Sequence, residues 1–361
     1  MSLRNNVYYW KCDSPHSIEE KKKLYFKEKY NGSDIEDVVQ SACTDHLGSS
    51  PSEIKAAGCD GNHFAYIVTY PDRNYFFRAD GGSGGDDYMI AESRLMLLAS
   101  NKGIPVPNVY HTDVELKRHP VRFQIMDLVE GRSLSLYQKN NELQADKIAF
   151  ELGGHLRRLH SIRMDGFGFV DTDLLKTNGT VRCLDNNYPD YFNKRLDDHL
   201  DYLSCKKLLT PEKIDEIRQL FKKYSSLLNL DSGVLVHRDM ALWNVLGTRD
   251  RITAIIDWDD AVGGDPADDL GILQCFYEDD FMSHVFKGYF GDETISRDFQ
   301  IRIWLHTLRN MLWKTMLRDY MGYFKKGNDF FLSGNTGDIS LKEYTFLKIE
   351  RSLKVLRKGG L

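Results

Sequence analysis

Hydrophobic and polar positions alternate over short stretches in the first third of the chain. Apolar or aromatic side chains occupy every second position from 64 to 70, a turn-forming Pro-Asp-Arg-Asn follows at 71–74, and an aromatic segment continues through 75–78. A period of two predicts β-strands with one buried face. Another apolar run, 122–129, ends before Gly131. The pattern therefore predicts a small antiparallel sheet.

Helical spacing dominates on both sides of this sheet. The patterns Ser17–Glu20 and Ser33–Glu36 each predict a helix N-terminus. Beyond residue 131, apolar spacings of three and four predict mainly helices, including those at 148–159, from Pro211 onward, at 299–324 and at 341–358. We expect an α+β fold with an N-terminal helical extension (1–50), a sheet lobe (51–131) and a larger helical lobe (132–361).

Composition and charge restrict the function class. The chain has 361 residues, of which 42% are hydrophobic and 28% charged, and its net charge is −5, which argues against a general nucleic-acid binder. It contains no apolar run long enough to span a membrane and no secretory signal pattern, so we expect no membrane partner. The six cysteines are scattered without Cys-x-x-Cys spacing, which favours free thiols and a cytoplasmic location.

The most informative segment lies between 235 and 261. An apolar strand leads into a loop with His237 and Asp239, and Asn244 precedes a hairpin whose second strand ends in Asp257. The hairpin would set Asn244 and Asp257 side by side. An amide oxygen and a carboxylate at that separation suit Mg²⁺, which binds through few carboxylates plus substrate phosphates. Asp239 would be free to accept a proton from an attacking hydroxyl, as in phosphoryl transfer.

Three ordered motifs in 237–270 resemble the aminoglycoside phosphotransferase and choline kinase family, which is related to protein kinases. They are the His-x-Asp-x-x-x-x-Asn box from His237 to Asn244, the Ile-Asp-Trp box around Asp257, and Gly-Asp-Pro-x-x-Asp-Leu at 264–270. The resemblance implies a protein-kinase-like bilobal fold and the use of ATP with Mg²⁺. It assigns catalysis to Asp239, metal binding to Asn244 and Asp257, and structural support to His237 and Asp268.

The resemblance extends upstream and implies a nucleotide site in the sheet lobe. Arg78 would contact the α- and β-phosphates, and Glu92 would be its ion-pair partner. The backbone of Asp127 and Val129 would bind adenine at the hinge between the lobes. The loop over the phosphates would be formed by Gly58, Asp60, Gly61 and Asn62, although its sequence departs from the family pattern.

The segment 237–280 carries eleven acidic side chains and three arginines, so its formal charge is −8. Mg²⁺ and its ligands account for part of this charge. The remaining acids predict a cleft that concentrates a cationic acceptor, and the residues concerned are Asp260, Glu278, Asp279 and Asp280. The alternative is that these acids form a solvated helix end.

The sequence thus predicts a small-molecule kinase that transfers the γ-phosphoryl group of ATP to a hydroxyl. An amine-bearing, aminoglycoside-like acceptor is the first hypothesis, which would connect the protein with antibiotic resistance. A kinase of a choline-like compound, a sugar or another metabolite is the second. A phosphatase of the haloacid-dehalogenase type and a non-catalytic nucleotide-binding scaffold are further alternatives. The sequence does not indicate an oligomeric state.

Overall fold

The computed structural model describes residues 4–10, 12–20, 22, 35–58, 63–80, 86–327, 330, 332 and 339–360. The strands are β1 (Glu53–Ala56), β2 (Phe64–Thr69), β3 (Asn74–Asp80), β4 (Val109–Asp113), β5 (Arg122–Asp127), β6 (Arg132–Ser133), β7 (Arg163–Met164), β8 (Phe167–Val170), β9 (Cys183–Asp185), β10 (Gly233–Val236), β11 (Val245–Thr248), β12 (Arg251–Ile255) and β13 (Val262–Gly264). The α-helices are α1 (Glu36–Leu47), α2 (Met89–Ser100), α3 (Leu134–Lys139), α4 (Ala145–Leu159), α5 (Thr172–Asn178), α6 (Tyr188–Asn193), α7 (Leu196–Cys205), α8 (Pro211–Lys223), α9 (Pro266–Phe276), α10 (Asp279–Phe290), α11 (Arg297–Tyr320) and α12 (Leu341–Lys358).

The small lobe is an antiparallel sheet with the strand order β1-β2-β3-β5-β4. Helix α1 shares a hydrophobic core with it, in which Val39 and Cys43 pack with Val68, Phe77 and other buried side chains of the sheet. The predicted antiparallel sheet is confirmed. Strand β4 was not predicted, because its sequence, Val-Tyr-His-Thr-Asp, has no alternating apolar pattern and it lies at the sheet edge.

The large lobe is mainly helical, as predicted, with two small sheets ordered β7-β10-β13-β8-β9 and β12-β11-β6. Helix α8 begins after Thr210, whose side chain accepts a hydrogen bond from the Lys213 backbone N–H. Helix α11 runs through the centre of this lobe and is buried along most of its length. The α+β bilobal architecture follows from these elements.

The N-terminal part of the chain contributes to both lobes. Its first helical segment, 15–20, begins earlier than predicted, because Ser14 rather than Ser17 accepts the capping hydrogen bond, from the Ser17 backbone N–H at 3.1 Å. Helix α1 has Ile35 as its N-cap and no side-chain cap, and the predicted cap Ser33 lies outside the described residues. Tyr8 and Tyr9 belong to the core of the large lobe.

No helix among the described residues is long and apolar enough to cross a membrane. The cysteines of the described part of the chain are free thiols.

A buried charge cluster joins α9 to α11. Asp265 caps α9 by accepting the Ala267 N–H, and its other carboxylate oxygen lies 3.2 Å from His306 Nε2. His306 Nδ1 lies 3.4 Å from the carboxylate of Asp268. Burial alone would lower the pKa of His306, but Asp268 and Asp265 outweigh it and raise the pKa to about 9. The cluster therefore holds the imidazole in its charged form.

This cluster predicts a loss of stability at alkaline pH. Because the pKa of His306 is raised in the folded state, its stabilising contribution is complete below pH 6.5 and is lost as the pH rises through about 9. The loss should be on the order of 3 kcal/mol in the free energy of unfolding. Urea unfolding of the wild type and His306→Gln between pH 6 and 10 measures it. An equal pH dependence in both proteins would contradict the assignment.

Candidate active site

A cavity of about 860 Å³ lies between the two lobes. One end of the cavity, which we call the first end, is lined by the sheet lobe and by apolar side chains that include Ala65, Met126, Leu246 and Ile256. Its other end is lined by the N-terminal segment and by α11. Cavities of this volume hold a drug-sized ligand or a cofactor. Asp239, Asn244 and Asp257 lie between the two ends.

Strand β10 delivers the loop of His237, Arg238 and Asp239 into this cavity. The carboxylate of Asp269 accepts hydrogen bonds from the backbone N–H groups of His237, at 2.9 Å, and Arg238, at 2.7 Å. Arg238 adopts a φ of 64°, which turns the chain so that Asp239 lines the cavity. Asp268, assigned to support from the sequence, contacts the loop through the Arg238 guanidinium at 3.0 Å. The backbone support from Asp269 was missed.

His237 is completely buried and braces the loop. Its Nε2 lies 3.0 Å from the carbonyl oxygen of Ile256, and its Nδ1 faces the backbone N–H of Asp239 at 3.3 Å. Burial lowers the pKa of His237, so a neutral ring that donates from Nε2 and accepts at Nδ1 fits both contacts. This geometry matches a structural histidine.

The β11–β12 hairpin brings Asn244 and Asp257 together. Val245 pairs with Ile255, and the Ile256 N–H donates to the Asn244 carbonyl at 2.9 Å, so Asn244 lies opposite Ile256 and Asp257 follows at the next position. The Asn244 amide nitrogen donates to Asp239 at its carbonyl oxygen, 2.8 Å, and at Oδ2, 2.7 Å. The amide oxygen of Asn244 is therefore the atom that remains for a cation.

The electrostatics around Asp257 fit a divalent cation. Burial and the neighbouring carboxylates of Asp239 and Asp259 raise the pKa of Asp257 to about 7, against the opposing effect of Arg78. Burial, followed by Asp259, likewise raises the pKa of Asp260 to about 7. Crowded buried carboxylates of this kind are stabilised when a hard cation neutralises them.

A second set of contacts holds Arg78 in the sheet lobe. Its guanidinium forms a 2.5 Å ion pair with Glu92 of α2 and donates to the Gln124 amide oxygen at 2.6 and 3.1 Å. Glu92 is buried, and Gln124 lies opposite Arg78 in the register of β3 with β5. Arg78 lines the same cavity as Asp257. The two residues that the sequence paired are thus in contact, and Gln124 was missed.

The predicted hinge lies at the first end of the cavity. Asp127 and Val129 both line it, and the Asp127 N–H is taken by the Asn108 carbonyl at 2.9 Å. Adenine would therefore meet Asp127 through its carbonyl oxygen. Gly58 has a φ of +60°, which favours glycine. The other predicted loop residues, Asp60, Gly61 and Asn62, lie outside the described residues.

The predicted acidic acceptor cleft needs correction. Asp260 lines the cavity, and its carboxylate accepts the Trp10 backbone N–H at 2.9 Å. Glu278 instead forms a 3.0 Å ion pair with Lys348 of α12, and Asp279 pairs with Arg351 on the same helix. Neither these two acids nor Asp280 belongs to the cavity lining. Their position at the start of α10 explains the charge run in the sequence.

The N-terminal segment closes the cavity on the side of the large lobe. The buried Arg4 guanidinium binds both carboxylate oxygens of Asp86, at 3.0 and 2.6 Å, and the Asp259 carboxylate at 2.5 Å. The Tyr9 hydroxyl donates to the carbonyl oxygen of Arg238 at 2.8 Å. Residues at 9, 10, 12, 18 and 22 line the cavity. The placement of this segment at the cavity was not predicted, because its partners lie far along the chain.

Removal of the Arg4 charge should destabilise the protein. Arg4→Met leaves Asp86 and Asp259 without their shared cation, and breaking a buried ion pair costs about 3 kcal/mol in the free energy of unfolding. Urea denaturation measures the change in the free energy of unfolding. Arg163→Met is the control, because Arg163 is exposed and its guanidinium donates a hydrogen bond to the Ser232 hydroxyl. Equal stability of the two variants would contradict a structural role for Arg4.

Comparisons with known proteins are consistent with this geometry. A family model described as the phosphotransferase enzyme family matches residues 55–298. No curated protein sequence matches the chain. Similar solved structures include a candidate fructosamine-3-kinase from Thermobifida fusca, at 20% identity and a TM-score of 0.57, covering 78% of this chain and 96% of that one.

Two further solved structures share the fold. A thermostable mutant of aminoglycoside phosphotransferase APH(4)-Ia, in a ternary complex with ADP and hygromycin B, is 16% identical with a TM-score of 0.55, and the match covers 87% of this chain and 98% of that one. A choline/ethanolamine kinase family protein from Mesorhizobium loti is 16% identical with a TM-score of 0.57, with 90% and 100% covered.

Proposed function

Because the chain belongs to the phosphotransferase enzyme family, we propose that it transfers the γ-phosphoryl group of ATP to a hydroxyl group of a small molecule. The observation that carries this proposal is the meeting of Asp239, Asn244 and Asp257 in one cavity with Arg78. A proton acceptor, two oxygen ligands and a fixed cation are the parts that phosphoryl transfer requires.

In the reaction, Asp239 orients the acceptor hydroxyl and takes its proton. The acceptor oxygen forms a bond to the γ-phosphorus, the bond from that phosphorus to the β,γ-bridging oxygen breaks, and ADP leaves. The hydrogen bond from Asn244 at 2.7 Å holds the Asp239 carboxylate in one orientation. Positioning of this kind provides much of the rate increase in phosphoryl transfer.

The nucleotide would lie at the first end of the cavity. The apolar side chains there suit an adenine ring, and Arg78 would bind the α- and β-phosphates while Glu92 and Gln124 fix its guanidinium. Asn244 and Asp257 would hold Mg²⁺. When bound, the ion neutralises phosphate charge as the β,γ bond breaks.

Two of the alternatives have little support. A haloacid-dehalogenase-type phosphatase places its nucleophilic aspartate at the end of a parallel strand, whereas Asp257 follows an antiparallel hairpin. A non-catalytic scaffold does not require the complete set of Asp239, Asn244 and Asp257. Of the four acids assigned to an amine-bearing acceptor, Asp260 lines the cavity and the other three do not.

The proposal is tested by measuring ADP release from MgATP in the presence of candidate acceptors. The panel contains aminoglycosides, choline-like amines, sugars and hydroxy acids. We expect release to depend on at least one acceptor and on Mg²⁺. Nucleotide binding without acceptor-dependent turnover across this panel would favour the scaffold instead.

A further inference from the structure

Two cations of α11 line the end of the cavity that is remote from the sheet lobe. Lys314 and Arg318 are only 6% and 2% exposed, and both line the cavity with Asp239. They lie four residues apart, so they are neighbours on one helix face. Neither residue takes part in the catalytic motifs.

Lys314 has no carboxylate or hydrogen-bond partner among the described residues. Its ammonium lies over three aromatic rings, those of Trp313 at 4.3 Å, Phe276 at 4.9 Å and Tyr9 at 5.7 Å. Arg318 donates to the Thr345 hydroxyl at 2.6 Å and, within the described chain, likewise has no carboxylate partner. Within the described residues, both cations are therefore held in place by neutral groups, without a carboxylate ion-pair partner.

Two other buried cations of this lobe have more polar partners than this pair. Lys348 donates to the carbonyl oxygen of Tyr277 and pairs with Glu278. Arg309 has hydrogen bonds to the carbonyl oxygens of Phe192 and Lys194. A buried charge without such partners costs free energy, and two like charges on one helix face increase that cost.

The surroundings offer Lys314 and Arg318 little compensation. Asp239 is the carboxylate that acts most strongly on Lys314, but the catalytic proposal requires it for the acceptor hydroxyl. The Cys275 thiol is also near, and burial raises its pKa to about 11, so it is neutral at pH 7. An anion in the cavity would supply the missing partner.

We propose that Lys314 and Arg318 bind an anionic group, a carboxylate or a phosphate, on the acceptor that Asp239 activates. This inference rests on the proposed kinase function, and it replaces a purely cationic acceptor by one that carries a negative charge. The aromatic rings of Trp313, Phe276 and Tyr9 would contact the body of the acceptor. Lys314 and Arg318 would thus hold the anionic group of the acceptor, and Asp239 would hold its hydroxyl group.

Matched pairs of compounds test the proposal in the wild type. Isothermal titration with MgADP present compares glycerate, gluconate and 4-(hydroxymethyl)benzoate with their carboxamides, and glycerol 3-phosphate with glycerol. In at least one pair the anion should bind at least about tenfold more tightly, because charge-assisted hydrogen bonds contribute roughly 1.5–3 kcal/mol. Comparison of the carboxylate pairs with the phosphate pair also shows which of the two anionic groups the site prefers. If no pair shows a preference for the anion, the proposal is overturned.

Variants locate the preference. Lys314→Met keeps a long side chain over the rings and should abolish the preference for the anion. Lys348→Met is the control, because Lys348 is similarly buried on α12 but lies outside the cavity lining, and it should keep the preference. If Lys314→Met still prefers the anion, the anion binds elsewhere. The same conclusion follows if the variant binds the anionic and the neutral compound of each pair more weakly by the same factor.

Turnover of the same compounds, measured with MgATP in place of MgADP, separates this inference from the kinase function. Anion-selective binding without phosphoryl transfer would leave the Lys314 site standing and contradict the kinase proposal. Phosphoryl transfer to neutral or cationic acceptors with no anion preference would support the kinase and overturn the Lys314 site.

Discussion

Asp239→Asn is expected to abolish phosphoryl transfer while leaving nucleotide binding nearly intact. The amide cannot accept the proton of the acceptor hydroxyl, and loss of a general base lowers kcat by about a hundredfold to ten-thousandfold. The substituted side chain can still accept the hydrogen bond that Asn244 donates to Asp239 at 2.7 Å, so the loop keeps its geometry. Steady-state kinetics on an identified acceptor, together with titration of MgATP, measures both effects.

The matched control for this variant is Asp231→Asn. Asp231 is exposed and lies just before β10, the strand that leads to the catalytic loop. It should leave kcat and the affinity for MgATP at their wild-type values. A kcat for Asp239→Asn close to that of the control would remove Asp239 from the catalytic role.

Asp257→Asn is expected to give a comparable loss for a different reason. The amide oxygen of the introduced asparagine is neutral and is a weaker ligand for Mg²⁺ than the carboxylate that it replaces. The crowded negative charge around position 257 favours a bound cation, and the substitution removes part of that charge. We expect kcat/KM to fall by at least about a hundredfold, with weaker binding of nucleotide in the presence of Mg²⁺. Asp257 has a φ of 65°, a conformation that asparagine also tolerates, so the fold should be retained.

The control and the readout for Asp257 use the same hairpin. Asp250 lies at its turn, exposed and paired with Lys147, so Asp250→Asn should behave as the wild type. Titration with ATP with and without Mg²⁺ isolates the metal contribution. If Asp257→Asn retained the full Mg²⁺ enhancement of ATP binding, the ligand assignment would be incorrect.

The meeting of Asn244 and Asp257 could be predicted because these residues are close in sequence. Asn244 and Asp257 are joined by one hairpin, so a local turn places them together. The ion pair between Arg78 and Glu92 connects a strand to the next helix, and the family resemblance identified both residues. Elements with strong periodicity, such as α12, were predicted with their observed bounds.

The end of the cavity that is remote from the sheet lobe could not be predicted, because its contacts join distant parts of the chain. Arg4 meets Asp259, and Trp10 meets Asp260, across about two thirds of the sequence. Glu278 was assigned to the acceptor because it is acidic, but in the structure it forms an ion pair with Lys348 of the final helix. A charge count assigns such residues by sequence position, whereas only tertiary packing determines which charges face the cavity.

The most direct test of the account is ³¹P NMR of a reaction containing the protein, MgATP and an acceptor that stimulates ADP release. We expect a new phosphomonoester resonance that grows in equal amount with ADP and is absent with Asp239→Asn. ADP formed with inorganic phosphate alone, or a phosphomonoester that forms equally well with the variant, would contradict it.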